Sequence, residues 1–286
     1  RALELGVALA AVTPTGGDGQ VTVEDVEAAA GAGRPLPAAS LAPSQPATPP
    51  DRADEELPPV TFTAEEAEVE EVSFYQKAVI RRVVASKHVI PHFYVTKAVR
   101  SDALLAHQQA GKAATGATLT HYLMQACAKA LTAHPEANRS YDRGHWIRWK
   151  VVHLGLAVQT EAGLVVAVLR DARGRDLAWL AEHTRALVDR ARAGKLTGPE
   201  RSNPTFTISN LGAYDVESFS AIINPPSALT LAVGSVVDVP VVEGGMVVPG
   251  KVLHLTLSCD HRVVDGVLAA RFLGEVKRLL ENPGEL

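Results

Sequence analysis

Between Arg34 and about Pro59 the chain is so dense in Pro, Ala and Ser that it excludes regular structure, with Pro46-Ala47-Thr48-Pro49-Pro50 at its centre. Proline has no N–H to give a helix or a central strand, and a composition this small and polar buries almost no apolar surface. The stretch predicts an extended tether. It divides the 286-residue chain into a small unit at 1–33, a linker at 34–71 and one domain at 72–286. The acidic run from Glu65 to Glu71 reads as a solvated flank of that linker. The small unit is too short to bury a substantial core. Its glycine-rich loop, Val12 to Gly19, leads to Thr22, an expected N-cap ahead of Glu24 and Asp25. No strand precedes the loop, so a nucleotide cradle is not expected. Arg1 to Val12 reads as a helix cut in the middle, which predicts a piece of a longer protein.

Within 72–286, helical and strand-like stretches alternate. Ser101 is an expected helix cap, Leu119 to Ala133 has apolar helical spacing, and Leu177, Leu180, Thr184, Leu187, Val188 and Ala191 form a stripe ending near Gly194. Val151 to Val158 and Leu164 to Leu169 have strand composition. Together these elements predict a layered α/β domain.

Composition narrows the function classes. A net charge of -4 gives no electrostatic case for a nucleic-acid partner. Cys127 and Cys259 stand far apart and in no CxxC pair, which disfavours a disulfide framework or a zinc site and suits a reducing compartment. The ten histidines show no ligand spacing, so no metal is expected. No apolar run approaches the ~20 residues of a membrane span, and the first residues do not resemble a signal peptide.

The segment Leu253 to Gly266 carries the most chemistry. Leu253, Leu255, Leu257, Cys259 and His261 fall on one face of an alternating strand. Asp265-Gly266 then predicts a turn, and Val267 to Leu280 a helix with Leu268, Phe272, Val276 and Leu279 on one stripe. His261 is thereby expected on the apolar side, where loss of solvation favours the neutral imidazole that a general base requires. A lone histidine in such a place is more often a core residue bonded to backbone. Here Asp260, His261, Arg262 and Asp265 cluster at one strand-to-helix junction, which costs stability unless each is paired, and such clusters more often mark sites. Asp265 is expected to anchor local backbone or an arginine. A second segment, Thr205 to Gly212, puts Thr205, Thr207 and Ser209 on one strand face. Such hydroxyls are often merely exposed, but one at the end of a strand before a glycine turn could donate to a developing oxyanion.

At these residues the sequence resembles the dihydrolipoamide acyltransferases of 2-oxo acid dehydrogenase complexes. Asp260-His261-Arg262-Val263-Val264-Asp265-Gly266 resembles their DHRVVDG signature and is similar in spacing to the HxxxDG motif of chloramphenicol acetyltransferase. Ser86 to Tyr94, Pro135 to Asn138, Thr205 to Gly212 and Ser220 to Pro226 resemble further blocks of the family in the same order. Residues 1–33 resemble the C-terminal part of a peripheral subunit-binding domain. The wording of these blocks is closest to the pyruvate dehydrogenase acyltransferases.

The resemblance implies a two-layer, chloramphenicol-acetyltransferase-like catalytic domain behind a small helical binding unit and a linker. It implies an acyltransferase, with acetyl as the first choice of acyl group, working between coenzyme A and lipoamide carried by a lipoyl domain outside this chain. Acyl groups of acetoin or branched-chain complexes stay open, as does a non-catalytic core protein, which would lack His261. Implied partners are further copies of the chain, as trimers building a larger core, together with a 2-oxo acid decarboxylase component and dihydrolipoamide dehydrogenase. The bacterial cytoplasm is preferred over the mitochondrial matrix. The implied site joins His261 and Asp265 of one subunit to Ser209 of its neighbour, with Ser209 preferred to Thr207 because it lies nearer Gly212. Three departures bear on this. Gln76-Lys77 stands where the family has a basic pair, leaving Arg82 as the candidate partner of Asp265. Asn203-Pro204 replaces two glycines before the second segment. Gln20 replaces an arginine in the binding unit.

Overall fold

The computed structural model describes residues 12–16, 20–31, 59–161 and 163–286. Residues 1–11 of the expected cut helix and the proline-rich stretch up to residue 58 lie outside the described residues. The chain divides into two compact units, Arg1–Pro49 and Pro50–Leu286.

In the first unit, helix α1 spans Val23–Gly31. Thr22 and Asp25 close its start reciprocally: the Asp25 N–H donates to Thr22 Oγ1, and the Thr22 N–H to the Asp25 carboxylate. The same carboxylate accepts from the Thr15 N–H and hydroxyl, at 3.0 and 2.6 Å, and so ties Thr15 to the start of α1. These bonds, that from the Thr15 hydroxyl first, hold the Asp25 carboxyl down at about 2. A Cβ on Gly16 would sit 2.7 Å from the Gln20 carbonyl oxygen, so this turn accepts only glycine.

The second unit opens on an exposed stretch from Pro59, in which Glu66 accepts hydrogen bonds from Thr63. Its helices are α2 (Phe74–Val89), α3 (Asp102–Thr115), α4 (Leu119–Ala133), α5 (Leu177–Arg192) and α6 (Gly266–Glu281). Its strands are β1 (His92–Arg100), β2 (Arg139–Asp142), β3 (His145–Arg148), β4 (Leu154–Thr160), β5 (Gly163–Leu169), β6 (Phe206–Asn210), β7 (Leu229–Glu243) and β8 (Met246–Asp260). Six strands form one mixed sheet in the order β1-β8-β7-β6-β4-β5, and β2 and β3 form a separate ribbon. Neighbours in the large sheet are antiparallel except β4 with β6 and β6 with β7.

Helices α3 to α6 contact one another and cover one face of this sheet, which makes the domain two-layered. Leu253, Leu255, Leu257 and Cys259 of β8 meet Phe272, Leu273 and Val276 of α6 in a continuous buried core, with the Phe206 and Phe272 rings 5.6 Å apart. The opposite face is rich in hydroxyls: Thr207, Thr230, Thr256 and Ser258 are all buried there. The segment from Asp215 to Ser227 crosses this face. Ser258 donates to the Ala221 carbonyl, and a Cβ on Gly234 would fall 1.9 Å from the Glu217 carbonyl oxygen. The C-terminal part of β8, from Leu255 to Asp260, is therefore buried on both sides.

One expected cap differs in detail and one cap was not expected. Ser101 holds the N-cap position of α3 but makes no capping hydrogen bond, and its buried hydroxyl has no partner. Gln76, read as a lost basic residue, instead completes a capping box with Ser73 at the start of α2.

Candidate active site

β8 ends at Asp260, one residue before the histidine, and the side-chain alternation ends with it. His261 is exposed in the single chain, which corrects the expectation of an imidazole on the apolar side. The physical reason is the turn over 261–263, where the Val263 and Val264 N–H groups both donate to the Asp260 carbonyl and rotate His261 out of the strand register. The backbone of His261 is nevertheless held, its N–H donating to the Pro91 carbonyl at 3.0 Å. Its ring lies against Phe93, with centroids 4.6 Å apart.

Asp260 is 3% exposed and forms a paired salt bridge with Arg262, with Nη2–Oδ2 at 2.8 Å and Nε–Oδ1 at 3.0 Å. It also accepts the Arg262 N–H. The paired carboxylate, its hydrogen bonds foremost, raises the Arg262 guanidinium above its ordinary value. Asp265 is the N-cap of α6: its Oδ1 accepts the Leu268 N–H at 2.8 Å, and α6 starts at Gly266, one residue earlier than expected. Arg82 does not reach Asp265 in the single chain, because its Nη2 donates to the Pro225 carbonyl at 2.6 Å.

Blocks far apart in sequence converge at this end of β8. Ser86 donates to the Ile223 carbonyl, and His92 accepts the Ile223 N–H on Nε2 while its Nδ1 donates to the Ile90 carbonyl. The Asp260 N–H donates to the Ala228 carbonyl, and Ser140 to that of Pro226. The Asp142-Arg143-Gly144 turn brings in the β2–β3 ribbon. Arg143 and Gly144 both have positive φ, 44° and 88°, as a two-residue hairpin of this hand requires. That ribbon was missed in the sequence, although strand formers on either side of Arg143-Gly144 were its signal.

Ser209 lies elsewhere. It is half-buried near the C-terminal end of β6, on the hydroxyl-rich face. Thr207, the rival donor, is buried and shares a 3.0 Å hydrogen bond with Ser227. Asn203 takes a left-handed conformation (φ 53°) before Pro204, and the Thr205 and Phe206 N–H groups then donate to the His153 carbonyl, so β6 keeps its register beside β4. The register across the sheet runs from Ser209 to Ala232 and from Ala232 to Thr256, five residues short of His261. One chain thus holds Ser209 and His261 apart.

Burial pushes the Cys259 thiol up to about 12, and that of Cys127 up further. Neither is a thiolate near neutral pH. A cleft of about 380 Å³ beside Tyr75, Ile80 and Leu164 holds none of the site residues. Among the described residues, no group of His, Cys, Asp and Glu could hold a metal, and no helix is long and apolar enough to cross a membrane.

The family description "2-oxoacid dehydrogenases acyltransferase (catalytic domain)" matches residues 64–286. The chain belongs to the 2-oxoacid dehydrogenase acyltransferase family. A second description, "e3 binding domain", matches residues 1–27. The dihydrolipoyllysine-residue acetyltransferase component of the pyruvate dehydrogenase complex of Rhizobium meliloti is 34% identical over 99% of this chain and 65% of its own length. Its counterpart in Staphylococcus aureus is 32% identical, over 99% and 67%. The chain thus spans about two thirds of the length of these curated relatives. The structure of Azotobacter vinelandii dihydrolipoamide acetyltransferase, in which a serine, a histidine and an asparagine were investigated for roles in catalysis, superposes with a TM-score of 0.74. It is 34% identical and covers 79% of this chain and 98% of its own. The cubic core of a pyruvate dehydrogenase multienzyme complex superposes with the same TM-score at 33% identity, over 79% and 98%.

Proposed function

We propose that the chain transfers acetyl groups between dihydrolipoamide and coenzyme A, at a site built from His261 of one subunit and Ser209 of its neighbour. The observation that carries this reading is the placement of the two residues: each is accessible, and each is out of the other's reach within one chain. The relatives named as pyruvate dehydrogenase acetyltransferases support acetyl as the acyl group. The serine, histidine and asparagine of the Azotobacter vinelandii enzyme have the same separations along the chain as Ser209, His261 and Asp265.

In this reading His261 takes the proton of the attacking thiol, and the resulting sulfur forms a bond to the thioester carbonyl carbon. The carbonyl oxygen becomes an oxyanion, to which the Ser209 hydroxyl donates. Collapse of the intermediate breaks the other C–S bond, and the departing sulfur regains the proton from His261. Both thiols come from the substrates, since Cys127 and Cys259 stay protonated. Asp265 acts by fixing the start of α6, and with it the turn that carries His261. Copies of the chain would assemble as trimers into a larger core, for which the likeness to a cubic core is the support. The match at residues 1–27 supports dihydrolipoamide dehydrogenase as a partner of the small unit, with the decarboxylase component as the rival. The bacterial relatives support a cytoplasmic setting.

The test is His261→Ala in an assay of acetyl transfer to free dihydrolipoamide. Activity should fall by about 10²–10⁴-fold, the span of a general base. A variant that assembles normally and keeps most of its activity contradicts the reading.

A further inference from the structure

We infer that the β2–β3 ribbon is a clamp for the catalytic turn, with Trp146 and Tyr141 acting through Arg262 as positioning residues for His261. This rests on the reading of His261 as the general base. Two contacts carry it. Trp146 Nε1 donates to the Arg262 carbonyl at 2.9 Å, across the peptide unit next to that of His261. The Tyr141 ring lies under the Arg262 guanidinium, 4.5 Å from its centroid to Cζ. The guanidinium is thus held on its face by Tyr141 and on its edge by the buried Asp260 carboxylate.

The ribbon is built to be placed by its contacts. It does not pair with the main sheet, every residue of β3 is exposed, and an isolated two-stranded ribbon is marginally stable in water. Its base is tied down separately. Asn138 Nδ2 donates to the Val151 carbonyl at 2.8 Å, Trp149 Nε1 to Ser140 Oγ at 2.7 Å, and Ser140 Oγ to the Pro226 carbonyl. Arg139 covers the Trp146 ring, 5.2 Å from its centroid, and orients the indole. Among the described residues, Trp146 and Tyr141 are the ribbon side chains whose contacts reach Arg262 of the turn. On the other side the turn is held by the Pro91 carbonyl through the His261 N–H. Tryptophan is bulky and 61% exposed at 146, a poor choice for solvent contact alone. In the single chain its N–H is taken up by the Arg262 carbonyl.

The experiment measures steady-state kinetics with both thiol substrates for Trp146→Phe, Tyr141→Phe and Tyr141→Leu in the full chain, with His261→Ala alongside. Trp146→Phe keeps the ring and loses only the donor. It should lower kcat about 5–10-fold with both KM values unchanged, since a small misplacement of a catalytic group is felt in the rate. Tyr141→Phe keeps the ring and should match the wild type, while Tyr141→Leu should lower kcat as Trp146→Phe does. Unchanged melting temperature and particle size would separate this from loss of structure. Wild-type kcat in Trp146→Phe and Tyr141→Leu, with His261→Ala inactive, would overturn the clamp and leave the active-site reading standing. An active His261→Ala would overturn both.

Discussion

Ser209 and His261 are separated by two inter-strand spacings, with β7 between them, and by five residues of sheet register, and β6 runs away from the end of β8 where His261 sits. At ordinary sheet spacings this is roughly 10 Å across the strands and about 16 Å along them. The two side chains cannot close such a gap, and the core between them is a continuous sheet that does not bend to bring its ends together. A reaction that uses both residues therefore needs two copies of the chain.

The first consequence concerns the hydroxyl on β6. Thr207 is buried and bonded to Ser227, whereas Ser209 is half-buried at the end of the strand. Ser209→Ala should lower kcat by about 10²–10³-fold, equivalent to ~2.7–4 kcal/mol of transition-state stabilisation, with little change in KM. Thr207→Val should leave kcat nearly unchanged and lower the melting temperature slightly, because it removes one of the two hydrogen bonds of the buried Ser227 hydroxyl, which still donates to the Asn224 carbonyl. The reverse pattern would move the donor to Thr207.

Asp265 separates capping from charge. Its carboxylate accepts the Leu268 N–H, a role that asparagine fills as well. Asp265→Asn should keep both stability and activity within a few-fold. Asp265→Ala should cost about 1 kcal/mol of stability through the lost cap, seen by denaturant unfolding, and lower kcat as the turn loosens. A large kcat loss in Asp265→Asn with stability intact would show that the charge itself is required.

His121 makes stability depend on pH. It is buried at the start of α4, where its Nδ1 accepts the Thr118 N–H at 2.9 Å, and burial first, then the charge of Arg185, lowers its pKa to about 4. The unfolded chain titrates near 6.5, so the folded state binds fewer protons between these values. Its contribution is fully present above about pH 6.5 and is lost as pH falls through about 4, on the order of 2 kcal/mol after screening. His121→Gln keeps a residue suited to this capping position and removes the titration. The variant should lose less melting temperature than the wild type between pH 7 and 4. Equal losses would contradict the assignment.

Much of the catalytic domain could be read from side-chain period. α4 has its expected bounds, Leu119–Ala133, and the apolar face of β8 and the stripe of α6 fall as alternation and helical spacing require. β7 could not be read this way. Its first seven residues, Leu229–Ser235, are buried on both faces, so they show no alternation to read. β1 depends on pairing with β8, more than a hundred residues away, which no local pattern reports; the β2–β3 hairpin did have a local signal, the strand formers on either side of Arg143-Gly144. At the candidate site, the polar cluster around His261 and the hydroxyl face of β6 could be read from the sequence, but two relationships could not. The exposure of His261 depends on a turn that begins one residue earlier than the alternation suggests. The distance from Ser209 depends on sheet order and register, which appear only once the strands are paired.

The most direct test of a shared site is complementation between two inactive proteins. His261→Ala and Ser209→Ala variants are dissociated, mixed and reassembled, and acetyl transfer is compared with each variant reassembled alone. In mixed trimers some interfaces pair an intact His261 with an intact Ser209 from the adjoining subunit, so activity should return to a sizeable fraction of the wild-type value. If differently tagged subunits are shown to exchange and activity stays at the level of the parent variants, the two residues do not form one site across an interface.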